Sequence, residues 1–406
     1  MKALLINQSD ISGGAAIAGY RLHRGLIAHG VHSRLMVGFK KTQDEQVDCI
    51  PRKYRAEKYI RSIATPWGLN YVHHIGSFWI PQHPSFQAAD VLNFHNLHSG
   101  TFNYLALPQL TRNKPAVLTL HDMWTFTGHC SYSYDCQKWM TGCGQCPYPE
   151  TYPAIKRDNT RLEWRLKSWL YDHSNLTVVT PSRWLTEQAQ KSILNRFPIH
   201  RIPYGLDTQT FCPLNPRHCR DKLGIPQGKK VLMFAAATLA ESRKGGDLLI
   251  KALQLLPEAL KPELVLLTIG KPDKSSLSKL NIDSLHLGYL SAEHDKAVAY
   301  SAADLFVFPT RADNLPLVLQ ESMACGTPAV SFKIGGVPDL VRPGLTGYLA
   351  TPGDPEDLSN GIVQLLENTA TRLKMRETCR AIAVKEYAID IQVKRYLEIF
   401  NQLLAK

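Results

Sequence analysis

The 406-residue chain lacks any apolar run approaching the roughly 18 to 20 residues that a membrane-spanning helix requires. Its longest candidates are Val231 to Ala237 and Leu264 to Leu267, so the expectation is a protein that does not span a membrane. Met1 to Ile6 carries one cation and a short apolar stretch before Asn7, Gln8 and Asp10, less than the about 7 to 15 apolar residues of a secretory signal. It reads instead as the first strand of a cytoplasmic protein. Low-complexity tracts and repeats of about 20 to 50 residues are also missing, which with 44% apolar residues excludes disorder, collagen and solenoids. Cysteine is present nine times, an odd number with no secretory signal before it, so reduced thiols or metal ligands are expected rather than a disulfide framework. Acid is in short supply: 35 Asp and Glu face 47 Lys and Arg. The shortage is uneven, with 23 basic and 13 acidic residues from Met1 to Pro203 against 24 and 22 from Tyr204 onward.

What is present is an alternation of apolar strand runs with amphipathic helical runs, repeated twice, the pattern of parallel sheets built from βαβ crossovers. Strands are predicted at Ala3 to Asn7, Arg34 to Gly38, Val91 to Phe94, Ala116 to Leu120, Leu176 to Thr180 and Ile199 to Ile202. A second series runs from Lys230 to Ala236 through Ala329 to Phe332. Breakers between Ile202 and Pro216 separate the two series. The fold class expected is α/β, with two doubly wound, Rossmann-like domains facing across a cleft at the carboxyl ends of their strands. The first spans residues 1–203, with a Cys-rich insertion at 124–150 and a helix at 388–406 expected to pack back on it; the second spans 204–387.

Four motifs carry chemistry. Gly13 and Gly14 stand between the first strand and a helix, where backbone can approach an anion at the helix N-terminus, although a tight turn accounts for the same residues. His121 emerges with Asp122 at the carboxyl edge of a strand, where α/β folds hold reactive groups. Arg243 and Lys244 follow an apolar strand within Ala240 to Gly246 and suit a diphosphate that leaves as an anion. The most specific run is Pro309 to Val330. Asp313 and Glu321 stand eight residues apart across a helix start, and the N–H groups around Asn314, Leu315, Leu317 and Val318 can cap a phosphate between them. Hydroxyls at both ends and a diphosphate in the middle describe a nucleotide sugar.

These residues resemble the family-four retaining glycosyltransferases of the two-domain GT-B architecture, and the likeness covers nearly the whole chain. That family's signature is Glu, seven residues, Glu; here Asp313 takes the first place and Glu321 the second, followed by Ser-Met-Ala-Cys-Gly-Thr-Pro. The resemblance implies that Asp313 contacts the donor hexose, the Leu317 and Val318 N–H groups the phosphate, and Glu321 the ribose. Arg243 and Lys244 match the basic pair, although the family's earlier Arg is missing from Ala236 to Leu239, and Arg243 is expected to do its work. Gly14 matches the glycine beside the diphosphate and His121 the histidine near the donor sugar. Tyr204 stands in the interdomain segment where Asn is usual. By resemblance the enzyme is a retaining, metal-independent hexosyltransferase, with UDP-glucose the first choice of donor.

Cys130, Cys136, Cys143 and Cys146 fall within 17 residues and end in C-x2-C; a structural zinc, one or two disulfides and an unligated thiol cluster are all open from spacing. The insertion that holds them is similar to one in exopolysaccharide transferases of the colanic-acid kind, which implies a glycan or lipid-linked oligosaccharide acceptor. Arg52, Lys53, Arg55, Lys58 and Arg61, with Trp67, Phe78 and Trp79 beyond, read either as a solvated helix face or as a contact with an anionic membrane surface. The latter would place the protein peripherally on the inner face of the plasma membrane. A nucleotide-sugar epimerase of similar fold is the alternative reading. Nucleic acid is not expected as a partner, because the basic residues form no known binding motif.

Overall fold

Short, mostly apolar runs that are buried throughout, such as Val91–Phe94, Ala116–Thr119 and Leu305–Phe308, are interior strands covered on both faces. A computed structural model describes residues 1–99, 102–238, 241–271 and 280–405. The chain divides into two compact units: Met1–Gly205 with Ile389–Lys406, and Leu206–Ala388.

The first unit is built on seven parallel strands: β1 (Lys2–Ser9), β2 (His32–Phe39), β3 (Val47–Cys49), β4 (Val91–Phe94), β5 (Ala116–Thr119), β6 (Thr177–Thr180) and β7 (Ile199–Arg201). Their order is β3-β2-β1-β4-β5-β6-β7. The chain direction across the sheet reverses between β1 and β4, which in open α/β sheets is where the carboxyl ends hold ligands. The helix Ile389–Leu404 covers one face of this sheet. Its Val393, Tyr396, Ile399 and Phe400 join a buried cluster with Ala3, Leu5, Leu22 and Leu26. The Tyr396 hydroxyl lies 2.9 Å from Thr119 Oγ1, so the one polar atom of that buried ring is paired.

The second unit has six parallel strands: β8 (Lys230–Thr238), β9 (Leu264–Lys271), β10 (Asp283–His286), β11 (Leu305–Phe308), β12 (Ala329–Phe332) and β13 (Gly347–Ala350). The order is β10-β9-β8-β11-β12-β13, with the same reversal between β8 and β11. Leu232, Phe234, Leu249, Leu266, Val307 and Val330 form its core with Leu358, Ile362 and Leu366 of the helix Pro355–Glu367. Among the described residues no helix is long and apolar enough to cross a membrane.

Candidate functional site

In the second unit the polar residues gather where β8 and β11 end. After β8 a single 3-10 turn, Ser242–Lys244, precedes the helix Gly246–Gln254, and it is tied to the loop after β11 by backbone: Arg311 N–H donates to Arg243 O at 2.8 Å. Gly245 makes this possible. Its φ is +70°, and a Cβ there would lie 1.8 Å from Pro309 O, so only glycine lets the two loops meet. The contact delivers both cations to Asp313: Lys244 Nζ is 2.6 Å and Arg243 Nη1 3.1 Å from the same oxygen, Oδ2. Oδ1 accepts from Asn314 N–H at 3.0 Å, and Arg243 also donates to Glu241 and to Ala312 O. Burial by itself would raise the Asp313 carboxyl, but the charges of Lys244 and Arg243 outweigh it and hold the group below the usual carboxylate range. Gly335, at φ +51°, backs the loop from behind; a Cβ there would lie 2.1 Å from Asp313 O.

The helix Leu317–Ala324 starts directly after this loop. Its first backbone bonds run from Leu319 and Gln320 to Pro316 O, which leaves the Leu317 and Val318 N–H groups ahead of the bonded ladder. Leu315 is buried under the loop, and Asn314 is buried beside it. Glu321 is buried one turn into the helix, with the Tyr300 hydroxyl 3.3 Å from its Oε2. The described site thus brings together Arg243, Lys244, Asp313, Asn314, Leu317, Val318 and Glu321. Leu239, the end of the segment where the sequence lacks the family's earlier Arg, and Ala240, the first residue of the basic loop, lie outside the described residues.

In the first unit Gly13, at φ +92°, caps the helix Gly14–Ala28, and the preceding loop is pinned by Asp10, whose carboxylate accepts from the N–H groups of Ile11, Lys41 and Thr42. His121 does not stand alone beyond β5. Its Nε2 is 3.0 Å from His95 Nδ1 and its Nδ1 is 2.8 Å from the Tyr204 hydroxyl, whose ring stacks on it at 5.3 Å between centroids. Burial lowers His121 to about 4 and takes His95 well below its ordinary value, so both rings are neutral at pH 7. Beside them His98 Nε2 is 2.7 Å from Asp122 Oδ2, and His98 Nδ1 is 3.1 Å from Ser99 Oγ. His95 and His98 were not singled out from sequence. Their signal was their place just past a fully buried strand neighbouring the one that carries His121.

The four cysteines of the insertion, all free thiols, border one cavity of about 20 Å³ together with His129. His129 Nδ1 faces Pro153 O at 2.9 Å and its Nε2 faces Cys146 Sγ at 3.1 Å. Burial pushes the Cys130 thiol up to about 12 and the Cys143 thiol to about 11. Among the described residues no three His, Cys, Asp or Glu are set to hold a metal ion. The structure gives these thiols a common cavity and no ligand geometry.

Two doubly wound units, each a parallel sheet with its strand order reversed at the middle, define the GT-B class of architecture. Residues 12–210 match the family model described as Glycosyltransferase Family 4 and residues 217–382 the model described as Glycosyl transferases group 1. The chain belongs to this family of GT-B glycosyltransferases. It is 26% identical over 357 residues, 82% of this chain and 83% of the other, to an Escherichia coli K12 protein described as a colanic acid biosynthesis glycosyl transferase, WcaC. Over 192 residues it is 32% identical to a D-inositol 3-phosphate glycosyltransferase of Catenulispora acidiphila, and there it spans about half of that relative, 46% of its length. Among solved structures it resembles Anabaena Alr3699/HepE in complex with UDP and glucose, with TM-score 0.71 and 18% identity over 99% of this chain and all of the other. Sucrose-phosphate synthase of Thermosynechococcus elongatus gives TM-score 0.70 at 18% identity over 100% and 99% of the two chains. At such identities the structures speak for the fold.

Proposed function

We propose that this glycosyltransferase moves a hexose, with glucose from UDP-glucose as the first choice, onto a glycan acceptor with retention at the anomeric carbon and without a catalytic metal. The observation that carries the reading is the convergence of Lys244 and Arg243 on one Asp313 oxygen immediately before the open N–H groups of Leu317 and Val318. A diphosphate placed there meets two cations and a helix N-terminus, which stabilise the negative charge that grows on it as the glycosyl bond breaks. Asp313 then serves the sugar hydroxyls and Glu321 the ribose. The UDP and glucose bound by the Anabaena neighbour, and the likeness to the Escherichia coli colanic acid transferase, support UDP-glucose and exopolysaccharide assembly as the first donor and pathway to test.

A panel of sugar nucleotides read by thermal shift tests the donor. A ligand at 100 times its dissociation constant adds about 2.7 kcal/mol of stability, and the expected ranking places UDP-glucose first. No shift with any sugar nucleotide overturns the reading, and an isomerised sugar nucleotide formed without acceptor replaces it with an epimerase.

The acceptor is proposed to be lipid-linked and met at a membrane surface. In support, the helix Tyr54–Ala64 exposes Arg55, Lys58 and Arg61 beside Tyr54 and Tyr59, each 70% exposed, and Trp67 follows at 52%. Cations with half-exposed aromatics suit an anionic lipid interface. Co-flotation with vesicles containing phosphatidylglycerol, absent with neutral vesicles, is the expected result at low salt; equal behaviour with both removes the membrane contact.

A further inference from the structure

The insertion and the helix Thr160–Asp172 border an open pocket of about 450 Å³ on the surface of the first unit, within the size range of ligand sites. Lys138, Arg161 and Arg165 line it, Trp164 forms one wall and the backbone from Gly142 to Gly144 another; no acidic residue lines it. Among the described residues neither Arg161 nor Arg165 has a hydrogen-bonded or ion-paired partner.

Local energetics oppose this arrangement. Like charges four residues apart on a helix repel by a few tenths of a kcal/mol, and cations near a helix N-terminus face the positive end of its dipole. The helix's first-turn acid, Glu163, offers no relief, because it is buried and accepts from the Tyr104 hydroxyl at 2.5 Å. Asp158, just ahead of the helix, is committed to Cys146 N–H and to Thr160. The opposite wall is strained as well: Cys143 and Gln145 hold φ of +43° and +49°, a conformation that costs non-glycine residues of order 1 kcal/mol or more. Strain on one wall and like charges on the other are costs that an anion bound between them would offset.

We propose that this pocket binds the phosphate or diphosphate of a sugar-phosphate ligand, which under the function proposed above is the diphosphate joining an acceptor glycan to its lipid. Arg161 and Arg165 grip the phosphate oxygens through paired N–H groups, Lys138 adds a point charge, and the Trp164 ring lies against the attached sugar. The Trp164 Nε1 is already bonded to Trp139 O at 2.8 Å, so its ring is held in place before any ligand arrives.

The test is calorimetric titration of the full chain, saturated with UDP, with inorganic pyrophosphate. Arg161→Ala/Arg165→Ala is expected to weaken pyrophosphate binding at least tenfold while UDP affinity stays within twofold, and Arg161→Lys/Arg165→Lys to recover part of the loss. Both arginines are exposed, and Arg165→Glu alone serves as a second variant should the double substitution impair folding. Pyrophosphate affinity unchanged by these variants, or lost only with Lys244→Ala, overturns the proposal. Vesicles of phosphatidylglycerol separate the two sources of phosphate. Their binding is expected to be indifferent to the double substitution; loss of vesicle binding with pyrophosphate binding intact makes the pocket a headgroup contact and overturns it. Failure of UDP to bind sinks the donor reading and leaves the pyrophosphate result standing.

Discussion

At the scale of single residues the second unit's site is an ion pair waiting for a stronger anion. Asp313 Oδ2 satisfies Lys244 and Arg243 together, so a donor diphosphate exchanges one anionic partner for another and neither half-buried cation is left bare. Lys244→Ala removes the cation that is nearest and most deeply set. Turnover is expected to fall at least tenfold, equivalent to ~1.4 kcal/mol of transition-state stabilisation, with a smaller change in donor affinity. Unchanged turnover in a steady-state assay removes the residue from the chemistry. The pairing also explains what sequence could and could not show. Arg243, Lys244 and Asp313 were each visible as residues of the right type beside a strand end, but their contact spans about 70 positions and needs Gly245 against Pro309 to form. His121 was visible for the same reason. Its partners His95 and Tyr204 were not assigned, because His95 acquires meaning only when β4 and β5 are neighbours, and Tyr204, 83 residues away, only when the segment after β7 returns to His121.

At the scale of elements the helix Thr160–Asp172 has two faces with opposite electrostatic problems. Outward it presents Arg161 and Arg165; inward it buries Glu163 and Lys167. Lys167 Nζ donates to Trp124 O at 2.7 Å and Thr127 O at 2.9 Å and sits 3.5 Å above the Trp124 ring, which fastens the helix to the segment following His121 and Asp122. Burial raises Glu163 from 4.5 to about 7 and lowers Lys167 from 10.5 to about 8. With its folded-state value raised, Glu163 binds more protons in the native than in the unfolded chain across that interval, so its contribution to stability is fullest below about 4.5 and is lost as the pH rises to about 7. Lys167 acts only above about 8, where its contribution grows with pH, so the two windows do not overlap. Glu163→Gln is therefore expected to gain on the parent between pH 5 and 7.5, by up to ~3 kcal/mol. Urea unfolding at a series of pH values checks this; a difference that stays flat refutes it. Neither the exposed i, i+4 arginines nor the pocket beside them was singled out from sequence, since its other wall comes from an insertion whose backbone turns through positive φ at Cys143 and Gln145.

At the scale of the whole molecule the alternation of strands and helices made both units readable as doubly wound parallel sheets, while the strand orders that place the reversal are seen only in the structure. The short edge strands β3, Val47–Cys49, and β13, Gly347–Ala350, escaped notice because three or four residues carry too little periodicity. The last helix was readable as a helix from its own pattern, and its place is settled by four large side chains that only the first sheet can bury. At about 1.5 to 3 kcal/mol each, Val393, Tyr396, Ile399 and Phe400 together rival the roughly 5 to 15 kcal/mol that holds a typical domain folded. Deleting the chain after Ala388 is expected to abolish amide-exchange protection throughout Met1–Gly205 and to spare Leu206–Ala388. Equal protection in both units of the shortened chain refutes the assignment.

That helix also sets an order of events during synthesis. The second unit can close as soon as Ala388 has left the ribosome, while the first, although begun earlier, waits with one sheet face uncovered for the residues from Ile389 onward. At about 5 to 20 residues per second the wait between Gly205 and the final helix is on the order of 10 to 40 s. The half of the molecule that is translated first is the half that finishes folding last, and during that interval its bare apolar face is the part of the nascent chain most in need of a chaperone.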